Sequence, residues 1–363
     1  MIVDMPTAPD PIVIVGAGQS GLVAARAVRN AGLTPLVLEA SDRTAGSWPH
    51  YYDSLTVFSP ARYSSLPGLD FPGDPDHYPS RDEVVDYLEN YAKGLDVEIR
   101  TGTRADCVDR DGPGFLVHVS TGEVMRASGV VAATGSFSNP YLPPIAGGET
   151  FTGELLHVAS YREPKAFRDN RVIVVGGGNS AIQVGHELAE HARVTLATLD
   201  PIHFLAQRPR GRDIHYWAAQ SGFDALPPAW LAQMVQGPLV SDDGAYSSAL
   251  EHGDYDRRPM FQTLDGDRVI WADNSSEHVD VIIFATGYRP SFDYLCALGA
   301  LDQHDVPVHE GGISLTHPGL VYLGIEFQRS FSSNTLRGVG RDADYVIPPL
   351  VAYASNAVGT LGL

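Results

Sequence analysis

Gly16-Ala17-Gly18-Gln19-Ser20-Gly21 follows the apolar run Pro11 to Val15, and Gly176-Gly177-Gly178-Asn179-Ser180-Ala181 follows Val172 to Val175. Each loop stands where a buried strand gives way to a helical stretch. In such a unit the first glycine permits the tight turn, the second lets the backbone approach a pyrophosphate, and the third lets helix and strand pack closely. The helix N-terminus adds unpaired amides and a partial positive charge, so a diphosphate is held without lysine. Ala181 in the third place of the second loop is a tolerated change. One such loop is a weak signal. Two in matching context, about 160 residues apart, point to two dinucleotides on one chain, and such chains commonly move electrons between them.

The flanks refine this. Ile12 to Val15, Gln19 to Arg29 and Thr34 to Leu38 read as strand, helix and strand, and Glu39 ends the second strand. A carboxylate there accepts hydrogen bonds from an adenosine ribose diol and repels a 2′-phosphate. In the second unit the strand Arg193 to Thr198 ends in Leu199-Asp200, again an acid, but Arg208, Arg210 and Arg212 follow. Bidentate arginines suit a 2′-phosphate, which favours NADPH and leaves NADH open. Asn179 and Ser180 sit in the first turn of the second helix, placed to donate to phosphate or ribose oxygens. Two further turns repeat: Val130 to Ala132 leads into Ala133-Thr134-Gly135, and Val279 to Phe284 into Ala285-Thr286-Gly287.

Between these landmarks, Ser80 caps an amphipathic helix carrying Val84, Val85, Leu88 and Tyr91. Short strands at Val97 to Arg100, Phe115 to Ser120 and Glu123 to Ala127 read as a small sheet. Asn139 to Pro144 is a stiff crossing, and Tyr288-Arg289-Pro290 returns the chain. The expected fold is α/β, with two Rossmann-like units of the three-layer ββα type. A first dinucleotide unit spans 1–150 and 288–363, and a second, 151–287, is inserted in it. A strand at Leu320 to Leu323 and a closing helix complete the tail.

With 363 residues, 44% of them apolar, the chain is long enough for two domains with sizeable cores. Its net charge of −19 disfavours nucleic acid and anionic membrane as partners. No apolar run is long enough to span a bilayer, and Met1 to Pro11 does not resemble a secretory signal. Cys107 and Cys296 are far apart, so neither a Cys-x-x-Cys pair nor a metal cluster is expected, and a cytoplasmic address fits.

Several segments in order resemble the flavin-containing (class B type) monooxygenases: the first glycine loop with Glu39, Gly46-Ser47-Trp48, Phe151 to Tyr161, the second glycine loop, and Ala285-Thr286-Gly287-Tyr288. Phe151 to Tyr161 matches the family pattern Phe-x-Gly-x-x-x-His-x-x-x-Tyr at every fixed position. The resemblance spans nearly the whole chain and is closest to the short bacterial branch. It implies FAD on Gly16, Gly18, Gln19, Ser20, Gly21, Glu39, Ser47, Trp48, Ala133, Thr134 and Gly135. It implies a nicotinamide cofactor on Gly176, Gly178, Asn179, Ser180, Ala181, Arg208, Arg210, Ala285, Thr286 and Gly287. Tyr161-Arg162, with no Trp-Pro pair, looks more like nitrogen or sulfur oxygenases than Baeyer–Villiger enzymes.

The implied reaction uses NADPH and O2, passes through a C4a-peroxyflavin, and oxygenates a soft centre of a small molecule. Phe58 departs from the pattern, standing where amine oxygenases of the family often carry an asparagine. Ser59, Arg62 and Tyr63 are the polar groups near it, and with His157 they are the weak catalytic candidates. An oxidase or flavin reductase that releases H2O2, and a non-catalytic nucleotide-sensing flavoprotein, are the alternatives. The substrate pocket is expected from Trp217 to Ala249 and Phe327 to Arg341, and the protein to be a monomer or homodimer.

Overall fold

The structure, a computed structural model, describes residues 10–234 and 239–355. Two sheets, the first mainly and the second wholly parallel, organise it. The first runs His309–Glu310, Ile313–Ser314, Leu320–Tyr322, Gly129–Ala132, Ile12–Val15, Pro35–Leu38, Glu98–Arg100. The last five of these strands are mutually parallel. Its central strands are apolar at every position because both faces are covered. One face, with Ile12, Ile14 and Val131, packs on the helices Gln19–Asn30, Arg81–Gly94 and Val339–Ala354. The other, with Val13, Val15 and Val130, packs on an antiparallel meander, Ala105–Asp111, Gly114–Val119 and Val124–Ala127. This is the expected three-layer arrangement, with the small sheet composed differently. Glu98–Arg100 is the edge of the parallel sheet, and the first meander strand is Ala105–Asp111, an acidic stretch whose alternation is weak.

The second sheet, Asp256–Pro259, Arg193–Thr198, Arg171–Val175, Val281–Phe284, Glu154–His157, is parallel throughout. Helix Asn179–Ala189 covers one face, and a second meander, Thr263–Asp265, Arg268–Ile270 and Ser276–His278, covers the other through Leu264, Val269 and Trp271. The internal repeat is therefore a whole three-layer unit. A detour interrupts the second unit: His203–Ala206 pairs with Leu239–Asp242, and helices Ile214–Ser221 and Pro228–Met234 lie between them. Residues 235–238 of the expected substrate loop lie outside the described residues.

The chain crosses between sheets twice, and the crossings pair. Tyr141 N–H donates to the Gly287 carbonyl at 3.0 Å and Arg289 N–H to the Asn139 carbonyl at 2.9 Å. The Thr286 hydroxyl bonds the Tyr141 carbonyl at 2.5 Å. Away from the crossings, Ser54 donates to Glu187 at 2.9 Å, and Arg337 clasps Asp224 through two bonds of 2.9 Å.

Both glycine loops are shaped by absent side chains. A Cβ at Gly21 would stand 1.8 Å from the Gly16 carbonyl oxygen, so the helix lies against the turn only because that position is bare. Gly21→Ala is expected to cost about 1–3 kcal/mol of stability, read as a lower urea midpoint at unchanged slope; an unchanged midpoint would refute this packing account.

Candidate dinucleotide and inter-unit site

The helix after each loop is preceded by Gly18 or Gly178, which supplies no side-chain cap and leaves its first amides free for an anion. Gly16 adopts φ +105°, and a Cβ there would stand 2.8 Å from the Ala133 carbonyl oxygen. Gly176 stands in the same relation to Ala285, at 2.5 Å. The two Ala-Thr-Gly turns recur in the sequence because each closes down on the first glycine of its own loop.

A cavity of about 850 Å³ opens at the first loop. Gly16, Gly18, Gln19, Ser20, Glu39 and Ser47 line it, as do Ala133, Thr134 and Gly135. Gly21 and Trp48 lie behind this surface: Gly21 meets the Gly16 carbonyl, and Trp48 Nε1–H donates to Gln19 at 2.8 Å, fixing that side chain beside the loop. Glu39 is 6% exposed; one carboxylate oxygen accepts from Ala17 N–H at 2.7 Å, the other from Ser41 N–H at 2.9 Å and its hydroxyl at 3.0 Å. One lone pair, on the oxygen that accepts from Ala17, remains for a ribose hydroxyl.

The cavity wall also contains Thr103, Arg104, Ala105 and Asp106, which sequence reasoning missed along with the strand they start. Its far end reaches the crossings at Pro140, Ala159 and Tyr288. There an aromatic belt forms: Tyr51 meets Phe137 edge-on at 6.3 Å, and Phe137 meets Tyr288 at 5.3 Å. Burial raises the Tyr51 phenol, so it stays a neutral donor at neutral pH.

His157 lies beyond this belt and is 4% exposed. Its Nδ1 accepts from Ala159 N–H at 3.1 Å, which leaves Nε2–H to donate to the Gly287 carbonyl at 3.1 Å. Burial lowers its pKa. The imidazole is a neutral brace between the Phe151–Tyr161 segment and the returning crossing. Tyr161, fully buried, donates to Glu187 at 2.8 Å. His157 and Tyr161 therefore join that segment to the returning crossing and to the second helix.

Ser59, Arg62 and Tyr63 do not line the cavity. Ser59 bonds Ser64 at 2.9 Å, and Arg62 pairs with Asp76 at 2.9 Å. Tyr63 and Phe58 flank His215, with Phe58 stacked on it at 5.8 Å. His215 Nδ1 and N–H both bond Asp213 at 2.8 Å; Tyr78 O–H at 2.5 Å and Gln207 at 2.9 Å complete its partners. The loop before it carries Arg208, with Tyr78 beneath at 5.7 Å, and Arg210, over Trp217 at 6.0 Å.

At the second loop, register decides which residue answers Glu39. Gly16 N–H donates to the Leu38 carbonyl at 2.7 Å, and Gly176 N–H to the Ala197 carbonyl at 3.0 Å. The strand pairs agree, Val15 with Leu38 and Val175 with Ala197. Thr198 therefore stands in the place of Glu39. Asp200, expected from the sequence to fill it, lies two residues further on and is exposed.

Burial works to raise the Asp213 pKa, but its hydrogen bonds outweigh it and hold the carboxyl at about 2 against an ordinary 3.8. A depressed acid contributes stability above its unfolded pKa and loses it as pH falls through the folded one. Asp213→Asn is expected to cost about 2 kcal/mol at pH 7. The gap from the parent protein should close between pH 3.8 and about 2 in denaturation curves; a gap independent of pH would overturn the account.

The sequence profile of the pyridine nucleotide-disulphide oxidoreductases matches residues 13–214. An uncharacterized CzcO-like oxidoreductase of Geobacillus kaustophilus is 31% identical over 93% of this chain and 97% of its own. An indole-3-pyruvate monooxygenase, YUCCA1 of Oryza sativa, is 36% identical over 55% of this chain and 50% of its own. Among solved structures, the flavin-containing monooxygenase of Stenotrophomonas maltophilia superposes with a TM-score of 0.82 at 29% identity, covering 96% of this chain and 99% of that one. Cys107 and Cys296 are both free, so the dithiol that the profile's name invokes is missing here. The chain belongs to the pyridine nucleotide-disulphide oxidoreductase family and is a flavin-dependent oxidoreductase of its monooxygenase-like branch.

Proposed function

We propose that this protein is an FAD-dependent monooxygenase that draws on NADPH and transfers oxygen from O2 to a soft nitrogen or sulfur centre of a small molecule. FAD is assigned to the Gly16–Gly21 loop and its cavity, and the nicotinamide cofactor to the Gly176–Ala181 loop. The nicotinamide unit is assigned to residues 151–287, between the two parts of the FAD unit, 1–150 and 288–363. The observation that carries this reading is a single cavity that runs from Glu39, at the strand end of the first unit, to Tyr288, at the crossings between the units.

Bound flavin would supply hydride acceptance and O2 activation. The chain's own groups would hold it: the amides at Gly18 to Ser20 would face its diphosphate, and Glu39 would accept from a ribose hydroxyl. Tyr51, Phe137 and Tyr288 line the inner end of the cavity. No residue is assigned as a catalytic acid or base; Nδ1 and Nε2 of His157 are already occupied by backbone partners.

Phe58 supports a second reading, an oxidase that releases H2O2. It puts an apolar ring where amine oxygenases of the family often carry an asparagine, and it stacks on His215 away from the residues that line the cavity. Oxygen accounting separates the two: the monooxygenase reading requires NADPH oxidation with little H2O2 and an oxygenated amine or sulfide detected by mass. Stoichiometric H2O2 with every such compound would replace it by the oxidase. Glu39→Gln should loosen FAD by about 10–100-fold, the effect of losing a charged acceptor. Flavin absorbance per protein after gel filtration reports this, and unchanged flavin content would remove FAD from this cavity.

A further inference from the structure

The helix after the second glycine loop, Asn179–Ala189, buries Ala181, Ile182, Val184, Gly185 and Leu188. Beside that face, polar side chains recur every four residues at Asn179, Gln183 and Glu187, so they form one stripe along the helix. Every member of the stripe is bonded to chain outside the helix. Asn179 Oδ1 accepts from Ser241 N–H of the detour at 3.1 Å. Gln183 Oε1 accepts from the Tyr52 hydroxyl at 2.5 Å, and Glu187 from the Ser54 hydroxyl at 2.9 Å. Tyr52 and Ser54 belong to the first unit, and Tyr52 is 3% exposed. His50 and Tyr51, directly before it, line the cavity at the first loop. The second unit holds this stretch again through Arg162, which donates to the His50 carbonyl and accepts from Asp53 N–H at 3.0 Å. Residues 50–54 are thus cavity wall on one side and partner to the second helix on the other.

We propose that Tyr52 is a positioning residue that couples the two cofactor sites: a nucleotide on the second loop alters the flavin in the cavity through Gln183, Tyr52 and the adjoining His50–Tyr51 wall. This rests on the assignment of FAD to the cavity and of the nicotinamide cofactor to the second loop. A diphosphate takes the amides at the start of helix Asn179–Ala189, and Gln183 stands one turn in from that end. A buried hydroxyl–amide bond is costly to break, so helix and segment keep their relative position. A change at the helix start is therefore passed to residues 50–54. Such coupling is reciprocal: the factor by which the nucleotide biases the flavin toward one oxidation state is the factor by which that state changes nucleotide affinity.

The test uses the flavin-loaded, full-length protein and two redox-inert probes, ADP-ribose and its 2′-phosphate. Lacking a nicotinamide ring, they reach the flavin only through the protein. Calorimetry gives each dissociation constant for the oxidised protein and for protein reduced anaerobically with dithionite, and the ratio of the two is the coupling factor. The parent protein is expected to show a factor of about 5–150 for the tighter probe. Tyr52→Phe, which keeps the ring and deletes the hydroxyl, should bring that factor about 2–10-fold closer to one. Gln183→Leu should do the same from the other unit, and it reports the link even where the tyrosine variant loses its flavin. The double variant should match the stronger single, because both remove one link. A factor of one in the parent, an unchanged factor in the single variants, or losses that add in the double variant overturn the proposal. If neither probe binds the parent, the assignment of the second loop fails and the coupling with it; binding with a factor of one removes the coupling alone.

Discussion

Each unit is closed by a carbonyl pressing where a side chain would be. Ala133 in one unit and Ala285 in the other bring a carbonyl oxygen so near the first glycine of the loop that a Cβ would stand 2.8 or 2.5 Å away. Contacts that short are repulsive for any other residue. The position of the helix N-terminus over the sheet, the floor of the cavity and the entry to the crossings all follow from that approach. It ties the strand before the crossing to the loop that would hold phosphate, so crossing and cradle form one piece in both units.

Much of this was legible in the sequence. Fully apolar runs such as Ile12–Val15 and Val281–Phe284 signal strands covered on both faces, and the glycine spacing supplies the turns between strand and helix. The first meander strand escaped because Ala105–Asp111 alternates charge with only two fully buried side chains, Ala105 and Val108. With it went Thr103 to Asp106 on the cavity wall. The second meander was missed for the same reason: its strands are three residues long, and only one apolar side chain of each of the first two is fully buried.

The place of Thr198 shows a different limit. Counting along the chain favours the acid at Asp200, because strand ends are blurred by a residue or two in sequence. Only the pairing with Arg171–Val175 fixes the register, and Arg257, whose Nε–H donates to the Thr198 hydroxyl at 2.7 Å, is 59 residues away. His157 likewise looks like a proton carrier until its partners are seen to be two backbone groups. Side chains that serve another segment carry no local signature.

The paired crossings have a mechanical meaning. Residues 139–141 and 287–289 lie side by side, tied by Tyr141 to Gly287 and Arg289 to Asn139. A lone connector would act as a swivel, free to twist and swing about any axis. Two connectors bonded edge to edge act as a strap: flexing across its width is easy, whereas torsion must tear the bonds between them. Any relative twist of the two sheets would have to break these bonds, and with them the Ser54–Glu187 and Arg337–Asp224 contacts away from the crossings.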